Sequence, residues 1–126
     1  LNGLILTNTT IQRDSIYKKP VKNSWKLGEE GGLSGAPLRE KTNKIIRSAY
    51  ELTNGKVTII GVGGISTGKD AFEKISMGAS LLQLYTSLIY QGPNVVVRIL
   101  SDLSYSLKRK GLKNVSDLIG KNINYD

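Results

Sequence analysis

The residues of this 126-residue chain that could hold a ligand fall into four short clusters. They are Thr7-Asn8-Thr9, Ser34-Gly35, Gly63-Gly64 and Tyr85-Thr86. Amide and hydroxyl groups can orient a planar polar ligand, and glycines let backbone N–H groups come close to an anion. What is missing narrows the chemistry further. The sequence has no histidine and no cysteine. A His general base, a Ser-His pair, a His- or Cys-ligated metal, a Cys nucleophile and a disulfide are all excluded within it.

The elements that must position these clusters follow from hydrophobic patterning. Leu4 to Thr7 is a short apolar run that reads as a buried strand with polar groups at its C-terminal end. Ile11 to Glu30 lacks periodicity and holds Lys18-Lys19-Pro20, a lone Trp25 and Glu29-Glu30. It is expected to be a long basic loop, of the kind that serves as a lid or a mobile segment. Gly31 to Pro37 is turn sequence, with Pro37 suited to the first turn of a helix. Leu38, Thr42, Ile45, Ile46 and Ala49 then repeat at helical spacing to about Leu52, where Asn54-Gly55 stops the helix. Val57 to Val62 predicts a second strand. Thr67 with Asp70 three residues on resembles a capping box, opening a helix that turns Ala71, Phe72 and Ile75 inward and ends near Gly78. Ser80 to Leu84 predicts a third strand. Val96, Ile99, Leu100, Leu103 and Leu107 predict the inner face of a long helix closed by Gly111. Asn114 or Ser116 is expected to cap a last short turn, Val115 to Ile119.

Strand and helix thus alternate three times, which implies parallel strands with crossover helices. Three such units cannot close a barrel, which needs eight strands, and an open three-stranded sheet would leave both edges bare. The expectation is a piece of a larger α/β protein. The first residues lack a basic n-region and a cleavage pattern, and read as the start of a buried strand rather than as a signal peptide. The polar clusters sit at the C-terminal ends of the predicted strands or in the loops that follow, the rim where βα barrels place their active sites and often a phosphate. Plainer readings stay open for each cluster taken alone. Gly63-Gly64 could be a tight turn, Asn8 a turn former, Ser34-Gly35 plain loop, Tyr85 core and Trp25 a loop anchor. Jointly they point to a phosphate-bearing ligand on a βα barrel, with no reaction specified.

Composition adds limits. Hydrophobic residues make up 39% and charged residues 22%, enough for a folded core. The net charge is +8, with basic residues at Arg13, Lys18, Lys19, Lys22, Lys26, Arg39, Lys41, Lys44 and Arg47, and again at Lys108, Arg109, Lys110 and Lys113. With few aromatics and no recognition motif, this reads as a solvated surface rather than a nucleic-acid face. No stretch approaches the ~20 apolar residues of a membrane helix.

Five segments in this order resemble one family. They are TNTT at Thr7 to Thr10, GGLSGAPL at Gly31 to Leu38, IIGVGGIS at Ile59 to Ser66, GASLLQLYTSLIYQGP at Gly78 to Pro93, and KGLKNVSDLIG at Lys110 to Gly120. Together they resemble dihydroorotate dehydrogenase, and LYTSLIYQGP with the closing segment is most similar to its quinone-using, membrane-associated class.

The resemblance implies the last three βα units of a (β/α)8 barrel, with residues 1–126 as the C-terminal portion of one FMN-binding domain. It implies oxidation of dihydroorotate to orotate in pyrimidine biosynthesis, with electrons passed from FMN to quinone. By the same resemblance Asn8 and Thr9 bind substrate. Thr7, Ser34, Gly35, Gly63, Gly64, Tyr85 and Thr86 bind FMN, and Tyr85, Leu88 and Pro93 line a quinone passage. The catalytic base, a serine in this family, and the membrane-associated helices are expected outside this chain. The implied place is the mitochondrial or bacterial inner membrane, with no metal and no nucleic-acid partner.

Overall fold

In the computed structural model, which describes residues 1–13, 30–122 and 125, three parallel strands form one sheet in the order β1-β2-β3. These are β1 (Gly3–Leu6), β2 (Thr58–Val62) and β3 (Leu81–Gln83). Leu4 pairs with Ile59, and Ile60 with Leu81. A 3-10 turn, Ala36–Leu38, with Pro37 in its first positions, leads into α1 (Arg39–Leu52). Next come α2 (Gly68–Ser76), a short α3 (Thr86–Gln91), α4 (Asn94–Arg109) and a final 3-10 turn, Val115–Leu118. The expected loop at 11–30, including Trp25, lies from residue 14 to residue 29 outside the described residues.

The register puts Ile59, Gly61 and Leu82 on one sheet face, and helices cover it. Ile59 packs with Ile46 of α1 and Ala79; Phe72 and Ile75 of α2 pack with Leu103 of α4 and Leu118; Ala71 packs with Ile65, Val95 and Ile99. Each fully buried large side chain contributes about 1.5–3 kcal/mol. The opposite sheet face, with Ile5 64% and Leu81 58% exposed, is uncovered. Parallel sheets normally bury both faces, and this is the face that a closed barrel turns inward.

The capping box at α2 forms as the sequence predicts. Thr67 Oγ1 accepts from Asp70 N at 3.2 Å, and Asp70 Oδ2 accepts from Thr67 N at 3.0 Å. At the last turn Asn114 N donates to Asp117 Oδ2 at 2.9 Å. Gly111 follows the end of α4 at φ 68°, a conformation that glycine adopts without strain.

Two expectations about helix faces need correction. Val96 and Leu100 do not lie on the inner face of α4; they are 41% and 58% exposed, while Val95, Ile99, Leu103 and Ser106 are buried. The run Val95-Val96-Val97 suits several helical phases, and packing against α2 selects the one that starts at Val95. The separate helix α3 was not anticipated. Gly92, at φ 71°, and Pro93 end it and restart the chain as α4. On α1, Ile45 sits at the edge of the buried stripe.

Candidate functional site

The C-terminal ends of the three strands and the loops that follow them open into one cavity of about 730 Å³. It is lined by Thr7, Asn8 and Thr9 after β1, by Ser34 and Gly35 before α1, by Gly63 and Gly64 after β2, and by Tyr85 and Thr86 after β3. Four clusters separated by up to 79 positions in sequence therefore share one space. Leu88 and Pro93 do not line it; Leu88 is 39% exposed on α3 and Pro93 is exposed beyond it. Arg13, Gln83, Ser87 and Gln91 line it as well. Of these, Gln83 had a legible signal, a polar residue near the end of an apolar strand. Arg13 had none, because its place is marked only by a hydrogen bond to Gly31, eighteen residues on.

Hydrogen bonds tie the strand ends together. Thr10 and Leu33 form an isolated antiparallel bridge, with Leu33 N donating to Thr10 O at 2.7 Å. Arg13 Nη2 donates to Gly31 O at 2.9 Å. Thr86 Oγ1 donates to Ser34 Oγ at 2.9 Å, joining the loop before α1 to the start of α3. Gly35, at φ 86°, sits so close that an added Cβ would lie 3.1 Å from Thr86 Cγ2. Asn8 Oδ1 accepts from Thr9 N at 2.8 Å. That fixes the amide plane, and the amide N–H groups of Asn8 have no acceptor among the described residues.

The turn after β2 is built on glycines in conformations that L side chains rarely adopt, φ 102° at Gly63 and 73° at Gly64. A Cβ on Gly64 would lie 2.6 Å from Arg39 Cα, so α1 backs directly onto the turn. Gly63 O accepts from Thr42 Oγ1 at 3.4 Å, and Gly64 O from Arg39 Nε at 3.2 Å. The Gly63 and Gly64 N–H groups donate to nothing among the described residues. The α2 terminus carries a carboxylate of its own, and its first residues, Gly68 and Lys69, do not line the cavity. Asp70, which is buried, accepts from Ser66 N, Ser66 Oγ and Thr67 N at 2.9–3.0 Å and lies 2.8 Å from Arg39 Nε. An anion at this cavity would therefore meet the glycine turn rather than the α2 terminus.

Below the turn is a buried cation that the sequence reading passed over. Lys74 is fully buried and donates from Nζ to Thr42 Oγ1 and Asn43 Oδ1, both at 2.7 Å. Burial pushes its pKa down from 10.5 to about 8; Arg39 adds to that shift, and Asp70 and Glu73 oppose it. A lysine in an amphipathic helix reads as surface. The signal that could have revealed it is Gly61, opposite on β2, where an added Cβ would lie 2.7 Å from Lys74 Cδ. At the turn after β3, the Ser87 hydroxyl is buried with no hydrogen-bond partner among the described residues.

Among the described residues no cluster of His, Cys, Asp and Glu could hold a metal. Two carbonyls turned back, N–H groups left open and an orphaned hydroxyl suit an anionic group such as a phosphate, and the Asn8 amide suits a polar partner.

Comparison with known proteins agrees with the motifs. The family model described as dihydroorotate dehydrogenase matches residues 1–107. The mouse protein named dihydroorotate dehydrogenase (quinone), mitochondrial, is 48% identical over 120 residues, covering 95% of this chain and 29% of that protein. The protein named dihydroorotate dehydrogenase (quinone) of Trichormus variabilis is 47% identical over 122 residues, covering 95% of this chain and 32% of its own length. A crystal structure of ligand-free dihydroorotate dehydrogenase from Eimeria tenella superposes with a TM-score of 0.87 at 46% identity, covering 97% of this chain and 33% of that one. The chain thus spans about a third of the length of the relatives it matches. Its three βα units are those of the family's (β/α)8 barrel, and the chain belongs to the dihydroorotate dehydrogenase family.

Proposed function

We propose that this chain supplies the C-terminal part of a single FMN-binding barrel domain that oxidises dihydroorotate to orotate in pyrimidine biosynthesis and passes the electrons to quinone. The observation that carries this reading is the convergence of Thr7, Asn8, Ser34, Gly63, Gly64 and Tyr85, from three strand ends, on one cavity. Relatives named as quinone-dependent enzymes support the acceptor. FMN, when bound, takes the hydride from the substrate and hands electrons onward.

The chain's own residues bind and orient. The open amide N–H groups of Asn8 and the hydroxyl of Thr9 face a planar polar substrate and fix its plane. Thr7, Ser34 and Gly35, which line the cavity, would hold the flavin ring. Gly63 and Gly64 offer N–H groups to the phosphate, and Tyr85 and Thr86 offer a second set at the start of α3. No residue here is assigned as the base. Tyr85, Leu88 and Pro93 are read as the quinone side, with Tyr85, 72% exposed, at the cavity edge. Membrane association would rest on helices outside this chain. Among the described residues no helix is long and apolar enough to cross a membrane, and relatives from mouse and rice are named mitochondrial.

The test is dihydroorotate-dependent reduction of a soluble quinone by a family-length protein carrying these residues. Turnover that needs both compounds is expected. A flavin-loaded, folded protein that oxidises other substrates and never dihydroorotate would contradict the reading.

A further inference from the structure

The glycine turn is held from behind by two parallel chains of polar contacts. In one, Asp70 Oδ1 lies 2.8 Å from Arg39 Nε, which lies 3.2 Å from Gly64 O. In the other, Lys74 Nζ donates to Thr42 Oγ1 at 2.7 Å, and the Thr42 hydroxyl divides its one proton between Arg39 O at 3.1 Å and Gly63 O at 3.4 Å. Arg39 and Thr42 sit three residues apart on α1, and Asp70 and Lys74 four apart on α2. That spacing puts each pair on one helix face. Thr42, Asp70 and Lys74 are each at most 1% exposed, so water does not compete for them.

The peptide group is planar and trans, so fixing a carbonyl fixes the N–H of the next residue in the opposite direction. Turning Gly63 O toward α1 aims the Gly64 N–H away from α1, and turning Gly64 O does the same for Ile65. Gly64 and Ile65 both line the cavity, and neither N–H has an acceptor among the described residues.

We propose that Arg39 and Thr42 are positioning residues for the phosphate grip, holding the Gly63–Gly64 turn so that the Gly64 and Ile65 N–H groups face the cavity before any ligand arrives. This rests on the reading of the cavity as a flavin phosphate site. Neither residue needs to touch the ligand, and Arg39 is absent from the cavity lining. An N–H pair already aimed loses no reorganisation energy on binding. With the carbonyls released, the glycine peptides would rotate, since glycine has little preference among conformations.

The test compares FMN with riboflavin, which has the same ring system and no phosphate. Apoprotein of family length is titrated with each flavin and read by quenching of flavin fluorescence, for wild type, Arg39→Met, Thr42→Val and Thr42→Ser. Arg39→Met and Thr42→Val are expected to weaken FMN about 10–100-fold, the range found for groups that orient the ligands of a metal. Riboflavin binding is expected to be unchanged, and Thr42→Ser, which keeps the hydroxyl, to bind FMN as wild type does. Unchanged FMN affinity, or equal losses for the two flavins, would overturn the proposal. So would loss of the fold in both Arg39→Met and Thr42→Val, which would make the residues part of the core. Wild-type protein that binds FMN no better than riboflavin would remove the phosphate site itself and the proposal with it.

Discussion

Replacing Lys74 by Met isolates the cost of a buried charge. The Met side chain keeps the stem that lies over Gly61 and removes the ammonium. In the wild type, burial lowers the Lys74 pKa from 10.5 to about 8. At about 1.4 kcal/mol per unit, this corresponds to roughly 3 kcal/mol between folded and unfolded chains. The sign follows from the folded pKa being the lower one. Below about pH 8 both states hold the proton, and the cost of burying the charge is fully present. Between about pH 8 and 10.5 only the unfolded chain stays protonated, so stability rises with pH. About 2 kcal/mol of that rise falls between about pH 7.5 and about pH 10. Denaturant unfolding at stepped pH, on family-length protein, measures it. Lys74→Met also loses hydrogen bonds to Thr42 and Asn43, which lowers its stability at every pH, so the slope rather than the absolute stability is diagnostic. Wild type is expected to gain about 2 kcal/mol relative to the variant over this range. Parallel pH profiles would refute the assignment of the shift to burial.

Two substitutions probe the packing and the substrate end. Gly61→Ala brings a Cβ to 2.7 Å from Lys74 Cδ and 3.0 Å from Ala79 Cβ. It is expected to cost about 1–3 kcal/mol in thermal unfolding, and an unchanged melting temperature would contradict the packing described. Asn8→Ala removes the amide that faces the cavity from β1. Steady-state kinetics should show turnover with dihydroorotate falling about a hundredfold while the flavin spectrum persists; wild-type kinetics would remove Asn8 from the substrate site.

Much of this architecture was legible in the residues. The apolar runs at Leu4, Val57 and Ser80 are short and flanked by polar or glycine residues, so each could be read as a strand with a functional end. Thr67 and Asp70 announced their helix because a capping box is a local device. Leu88 and Pro93 were assigned to a quinone passage on family resemblance, and they lie beside the cavity rather than in its lining. What stayed hidden depends on long-range packing. Val95-Val96-Val97 is apolar at every step, so only the contact with α2 shows which valine is inside. Lys74 reads as a surface cation, and its burial follows from Gly61, thirteen residues earlier on another element. The Arg39–Asp70 pair joins residues 31 apart, and nothing local marks Arg39 as different from its exposed neighbour Lys41.

The central claim is that these residues hold FMN against dihydroorotate, and the visible spectrum of the family-length protein tests it most directly. The protein is expected to be yellow as purified, with the flavin band bleaching on anaerobic addition of dihydroorotate. A flavin band that dihydroorotate leaves unchanged, in folded protein, would contradict the account.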